Sequence, residues 1–306
     1  MIIVTCGYAF TDVDAYAGCI AYAELLRRQG EEAVAVLPGP LNDSITPTMR
    51  TWPDEYQTSC HVGQFDQFVL IDISDPQFVA RFVVPEQVRE VIDHHMGHTD
   101  FWLQHGAKLQ IEHVGAACTQ VFERWQHVGY DATMSITTVK LLACGILDNT
   151  LNFNANVTND RDRVAYRTLQ GIATLDDTFA EQYFTDCQTA VTSDPVSSMN
   201  RDTKYLQLPG FAAEMTIGQL VLWDASRMLG QRAALSAALA QHHRPWLVNL
   251  ISIAEGKNYL IADDKRLEVF LMQLLDTEFI DGLAHTSRLW LRKEIVKQAI
   301  TRHGSL

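Results

Sequence analysis

The chain has 306 residues, 47% hydrophobic and 20% charged, as expected of an ordinary globular protein long enough for two domains. Its formal net charge of −13 argues against a nucleic-acid backbone or an anionic membrane as main partner, since both repel such a surface. An acidic chain still acts on phosphates where bound cations reverse the sign locally.

Ile2-Ile3-Val4 reads as a first strand. Asp14 to Gln29 reads as a helix, with Ala17, Ile20, Ala21 and Leu25 on its apolar stripe and a stop at Gly30. Ala33–Leu37, Phe68–Ile71 and Val88–Ile92 read as further strands, the first stopped by Pro38 and Pro40 and the second by Pro76. Val114 to Val128 has a helical pattern, Val139 to Leu147 is an apolar run compatible with helix or strand, and 151–190 looks mostly helical. Strands alternating with helices predict an α/β fold, a doubly wound and mainly parallel sheet with helices on both faces. The small, polar stretch from Thr192 to Ser198 is the best linker candidate. The expected domains are therefore 1–190, a linker at 191–200, and a smaller α/β domain at 201–306. In that domain Met215–Ile217, Leu247–Ile253 and Tyr259–Ile261 read as strands, and Ser226–Gln241 and Arg292–Arg302 as helices.

Six cysteines are scattered with no Cys-x-x-Cys, which argues against a structural zinc site and for reduced thiols in a cytoplasmic protein. No basic region followed by a long apolar stretch opens the chain, and no apolar run approaches the ~18 residues that span a bilayer, so neither a leader nor a membrane segment is expected.

Four segments place carboxylates at the ends of apolar runs: Asp12 and Asp14, Asp72, Asp93-His94-His95, and Asp148. Asp12 and Asp14 are two apart, so extended backbone would point both to one side. In an open α/β sheet ligands sit beyond the carboxyl ends of the strands, where these groups would converge. Two bare carboxylates at ~4 Å repel by roughly 4 kcal/mol at an effective dielectric of 20, so cations or protons must enter. Oxygen donors with one or two imidazoles suit Mn²⁺, with Mg²⁺, Co²⁺ or Zn²⁺ as alternatives. A single such aspartate is ordinarily a turn residue or helix cap, and His242-His243 reads as a surface pair. Four segments in one α/β domain point instead to a metal centre.

The order of these segments resembles the DHH phosphoesterases, and among them the family II inorganic pyrophosphatases, exopolyphosphatases and prune-type proteins. Asp12-Val13-Asp14-Ala15, Ile71-Asp72, Ile92-Asp93-His94-His95 and Ile146-Leu147-Asp148-Asn149-Thr150-Leu151-Asn152-Phe153 resemble its four motifs. Val114-Gly115-Ala116-Ala117-Cys118-Thr119 is similar to its glycine-containing helix start. Asp202-Thr203-Lys204, Ile217-Gly218-Gln219 and Arg292-Lys293-Glu294 are similar to elements of the pyrophosphatase-type second domain.

The resemblance implies a metal-binding DHH domain and a C-terminal phosphate-binding domain, with the active site in the cleft between them. It implies hydrolysis of a phosphoanhydride, pyrophosphate or short polyphosphate, by a metal-activated hydroxide. Asp12, Asp14, Asp72, His94 and Asp148 would be ligands to two ions of manganese, or of magnesium or cobalt. Asp93 would be a ligand or would orient His94, His95 would contact phosphate and protonate the leaving group, and Lys204, Arg292 and Lys293 would hold the substrate. A phosphodiesterase of small nucleotides and a weakly active phosphate-binding relative are the alternatives. The partner would be a small phosphate compound, with neither a nucleic-acid duplex nor a membrane, and some relatives pair as homodimers. Two positions depart from the pyrophosphatase pattern: Tyr8 and Ile73 stand where histidines are expected, which shifts nitrogen ligation onto His94 and His95.

Overall fold

The computed structural model describes residues 1–64 and 66–304 and divides into two compact units, Met1–Tyr183 and Phe184–Leu306. In the first unit, strands β1 (Ile2–Thr5), β2 (Ala33–Val36), β3 (Gln67–Ile71), β4 (Val88–Asp93) and β5 (Lys108–Ile111) form one sheet in the order β2-β1-β3-β4-β5. Every pairing is parallel. β1 and β4 are almost wholly buried, because a parallel sheet covered on both faces needs continuous apolar runs rather than alternation.

Helices α1 (Val13–Arg28), α3 (Ala117–His127) and α4 (Ile136–Asn149) pack on one another, and Gly18 of α1 lies against Ile71 of β3. Ile3, Phe68, Leu70 and Val91 pack with Trp102 of the short α2 (Thr99–Gln104) in a separate cluster. α5 (Asp160–Ala173) and α6 (Phe179–Ser193) follow.

Three expectations need correction. Asp148 does not end a strand. The run from Val139 to Leu147 is helical and lies in α4, where every residue from Leu141 to Leu147 is buried, so an apolar run with no polar face marks a fully enclosed helix. Asp12 and Asp14 are not on extended backbone together: Asp12 caps α1 and Asp14 sits in its first turn. The segment from Thr192 to Ser198 is not an open linker. It closes α6 and opens α7 (Pro195–Arg201), with the Asp194 side chain accepting from the Ser197 amide and Pro195 at a helix start that tolerates its missing N–H.

The second unit carries a mixed sheet, β10-β9-β8-β7-β6, built from β6 (Thr203–Gln207), β7 (Glu214–Leu222), β8 (Trp246–Ser252), β9 (Lys257–Ile261) and β10 (Leu283–His285). Only β7 and β8 run parallel; the other neighbours are antiparallel. Ile217, Leu247 and Leu260 face α9 (Lys265–Leu275) and α10 (Arg292–His303), while Leu220, Val248 and Leu250 face α8 (Arg232–Ala240). No helix among the described residues is long and apolar enough to cross a membrane.

Candidate metal centre

Beyond β1 the chain reaches Asp12, whose Oδ1 accepts from the Ala15 amide at 3.0 Å and so caps α1. Asp14 is fully buried, and its two oxygens accept from the Ala117 and Cys118 amides at 2.8 and 2.7 Å. Those amides open α3, so unpaired N–H groups and the positive end of the helix dipole both hold the carboxylate. Gly145 lets α4 come this close, because a Cβ there would stand 2.4 Å from Cys118 Sγ and 3.3 Å from Asp14 Oδ1.

Asp72 is the first residue past β3 and adopts φ 57°, a left-handed conformation that costs a side-chain-bearing residue energy and concentrates at functional sites. Its amide donates to the Ile92 carbonyl at 2.9 Å, tying the turn to β4. His94 Nδ1 lies 3.1 Å from the Val114 carbonyl. A carbonyl only accepts, so Nδ1 carries the hydrogen and Nε2 is left as the acceptor. Nε2 stands 3.3 Å from Asp72 Oδ1 and 3.8 Å from Asp14 Oδ2. Both His94 Nε2 and Asp72 Oδ1 are buried without a hydrogen-bond partner. Two facing acceptors of this kind fit a cation between them. One donor atom from each of Asp72, His94 and His95 lies within 4.8 Å of the others.

Asp93 orients His95, whereas the Val114 carbonyl orients His94. Asp93 Oδ1 accepts from the amides of His94 and His95 at 2.7 and 3.0 Å and from His95 Nδ1 at 2.9 Å. Asp93 Oδ2 is buried and has no partner. Burial pushes the Asp93 carboxyl up, but the His95 contacts outweigh it and hold the group below its ordinary range. The Asp93 hydrogen bond in turn raises the His95 imidazole, which is 62% exposed and so open to a substrate.

Asp148 lies near the end of α4, where its Oδ1 is 2.9 Å from the Tyr183 hydroxyl, itself 3.1 Å from the Ser44 carbonyl. Burial, opposed by that hydrogen bond and aided by Asp12 and Asp14, pushes its carboxyl up to about 7. Burial also raises Asp72, with the charges of Asp12 and Asp14 adding to it, and raises Asp14 against the pull of His94. Carboxyls pushed up by burial and by one another are the electrostatic mark of a site that needs positive charge.

Asp162 and Tyr183 were missed by sequence reasoning. The Asp162 carboxylate is fully buried and accepts from the Gly115 amide at 2.9 Å, Thr119 Oγ1 at 2.7 Å and the Asn159 amide at 2.9 Å. It thereby pins the Val114–Cys118 segment that holds both Asp14 and His94. The Asn159-x-x-Asp162 spacing is a capping-box signal, although it says nothing of Gly115. Tyr8 is 41% exposed and is no core aromatic, whereas Ile73 packs against the core.

In the second unit, Asp202, Gln219 and Arg292 come together. Arg292 Nη1 and Nη2 donate to the Asp202 carbonyl and Oδ1, each at 2.6 Å, and its amide donates to Gln219 Oε1 at 2.8 Å. Lys204 on β6 and Lys293 on α10 are exposed.

Residues 2–146 match the family described as DHH family, N-terminal domain. A Listeria welshimeri protein named a probable manganese-dependent inorganic pyrophosphatase is 25% identical over 240 residues, 77% of this chain and 76% of that protein. A Bacillus cereus protein of the same name is 24% identical over 276 residues, 88% of this chain and 81% of that one. In fold, the chain is similar to a Methanococcus jannaschii structure solved as a candidate family II inorganic pyrophosphatase, with a TM-score of 0.66 at 16% identity and full coverage of both chains. It is also similar to an exopolyphosphatase-related protein from Bacteroides fragilis, with a TM-score of 0.55 at 14% identity, covering 99% of this chain and 92% of that one. Of the motif residues, Asp12, Asp14, Asp72, Asp93, His94 and His95 lie within the stretch that matches the DHH family, N-terminal domain, and Asp148 lies just beyond it.

Proposed function

We propose that the chain hydrolyses a phosphoanhydride bond, in inorganic pyrophosphate or a short polyphosphate, at the centre of Asp12, Asp14, Asp72, Asp93, His94, His95 and Asp148. The observation that carries this reading is the pair of buried acceptors, His94 Nε2 and Asp72 Oδ1, 3.3 Å apart with no donor between them. The names of the relatives support the same reaction and make manganese the first choice of ion, with magnesium or cobalt as alternatives. Asp12, Asp14, Asp72, His94 and Asp148 together offer enough donors for two ions. Bound there, divalent cations supply Lewis acidity, lowering the pKa of water and offsetting charge on the phosphoryl oxygens.

The chain's own residues do the rest. The amides of α3 fix Asp14, and the left-handed turn fixes Asp72, so the ligand oxygens are held before substrate arrives. Asp93 holds His95 through Nδ1 and favours its protonated form, which leaves Nε2 to give a proton to the departing phosphate as water oxygen bonds to phosphorus and the bridging P–O bond breaks.

Phosphate release from pyrophosphate and tripolyphosphate in the presence of Mn²⁺ tests the proposal. Release should stop with a chelator and fall about a hundredfold or more in Asp72→Ala and Asp148→Ala. Undiminished release by either variant, or in the presence of the chelator, would overturn it.

A further inference from the structure

We propose that Asp162 acts on the bound metal through a peptide bond, making His94 a stronger ligand and setting the preference of the centre among divalent ions. The inference rests on the metal-binding part of the reading above and not on what is hydrolysed. The Val114–Gly115 peptide lies between the two side chains. Its N–H donates to Asp162, with 2.9 Å to Oδ2 and 3.1 Å to Oδ1. Its C=O accepts from His94 Nδ1 at 3.1 Å. In a trans peptide these two groups point in opposite directions, so one planar unit carries the contact from carboxylate to imidazole. At the far side of the imidazole is Nε2, the buried acceptor 3.3 Å from Asp72 Oδ1. The order is carboxylate, peptide, imidazole, cation.

The relay is held in place and is dry. Asp162, Val114 and Gly115 are buried, and so is the His94 side chain. Position 115 needs glycine, because a Cβ there would stand 2.6 Å from Asp162 Oδ2 and from Thr150 Cγ2. The carboxylate is fixed by two further donors, the Asn159 amide at 2.9 Å to Oδ2 and Thr119 Oγ1 at 2.7 Å to Oδ1. Asn159 Nδ2 donates to the His113 carbonyl at 3.0 Å, which holds the preceding peptide as well. The start of α5 thus grips the chain on both sides of the Val114 carbonyl.

A carboxylate against an N–H polarises the peptide and strengthens the bond its C=O accepts, and a low-dielectric interior enlarges the effect. A histidine whose second nitrogen donates to a carboxylate is a better and better-oriented metal ligand. Here the carboxylate does this at one remove, with a peptide between. The effect falls on nitrogen ligation. Magnesium is suited by carboxylates and water, whereas cobalt gains from imidazole and stands above manganese in the general order of affinities. The charge of Asp162 by itself attracts either dication alike, so the ratio of their affinities isolates what passes through His94. Asp162 also belongs to the capping box of α5, a role that by itself leaves this ratio untouched.

Asp162→Asn removes the charge and keeps the shape, since an amide oxygen still accepts from Gly115 and Asn159 while its nitrogen donates to the Thr119 hydroxyl. Calorimetric titration of the metal-free variant should show Co²⁺ affinity about tenfold lower and Mg²⁺ affinity lower by no more than about twofold. The Nδ1–H proton signal of His94, assigned by its loss in His94→Gln, should move upfield in metal-free Asp162→Asn as its hydrogen bond weakens. Gly115→Ala, which forces the carboxylate off the amide, should narrow the Co²⁺ to Mg²⁺ ratio in the same way and serves if Asp162→Asn does not fold. Thr119→Val removes a donor to the same carboxylate but spares the peptide link, and should keep the ratio of the unaltered protein. An unchanged ratio or an unmoved signal in Asp162→Asn, or an equal narrowing in Thr119→Val, would overturn the proposal and leave Asp162 as a helix cap. Binding of neither ion by the unaltered protein would instead overturn the metal reading itself, and this proposal with it.

Discussion

Each unit has one dense cluster of buried polar side chains, and the two clusters are treated in opposite ways. In the second, Asn258 Nδ2 donates to Asn249 Oδ1 and the Trp290 carbonyl at 2.5 and 2.6 Å, its Oδ1 accepts from the Trp290 amide at 3.0 Å, and its own amide donates to Thr286 Oγ1 at 2.9 Å. Donors meet acceptors, and the network closes on itself beneath the start of α10. In the first unit, Asp72 Oδ1, Asp93 Oδ2 and His94 Nε2 are buried acceptors without a donor. A closed network fixes a fold, whereas an open set of acceptors fits a cation.

Substitutions sharpen this contrast. His94→Gln should weaken manganese binding on the order of a thousandfold by calorimetry, because a ligand nitrogen and its carbonyl-set orientation are lost together. Unchanged affinity would remove His94 from the centre. Asn258→Ala should destabilise the protein by about 3 kcal/mol in urea unfolding, since it strands several buried partners, yet leave the manganese affinity of the folded protein as it was. Tyr183→Phe removes the hydroxyl facing Asp148 and should weaken manganese binding roughly tenfold, with a smaller effect on stability. If stability falls and affinity does not, Tyr183 is a packing residue only.

Glu24 gives the smallest effect and shows how a satisfied carboxylate behaves within the first unit. Burial pushes it up, but hydrogen bonds from Thr138, Arg28 and Ser135 outweigh that and lower its pKa from 4.5. A lowered folded-state pKa contributes stability that is present above the unfolded value and lost as pH falls through the folded one. Glu24→Gln should therefore cost about 1 kcal/mol at pH 7, and the difference from the unaltered protein should shrink as the pH is lowered below 4.5. A gap that is constant with pH would show that charge plays no part.

Much of this was legible before any coordinates. The buried runs of β1, β3 and β4 announce themselves because both faces of a parallel sheet are covered, and the motif carboxylates stand beside them. β5 was invisible, since Lys108–Ile111 is a half-exposed edge strand with little apolar pattern. The helical state of the Asp148 segment was ambiguous because an enclosed helix has no polar face to reveal its period. The supports of the centre were least legible. Val114 acts through its carbonyl, Asp162 through contacts 43 and 47 residues away in the chain, and Tyr183 through one 35 residues away. Such partners are set by tertiary packing and leave no local signal.

The left-handed turn at Asp72 carries a consequence for the life of the protein as well as for its chemistry. A strained backbone and a buried carboxylate both count against the folded chain, and a cation bound there offsets both. With manganese bound there as proposed, folding would be linked by mass action to the surrounding manganese, with roughly 2.7 kcal/mol gained at a free concentration a hundredfold above the dissociation constant. When the metal is scarce, more of the chain would spend time open to proteases, so its abundance as well as its turnover would follow the manganese supply.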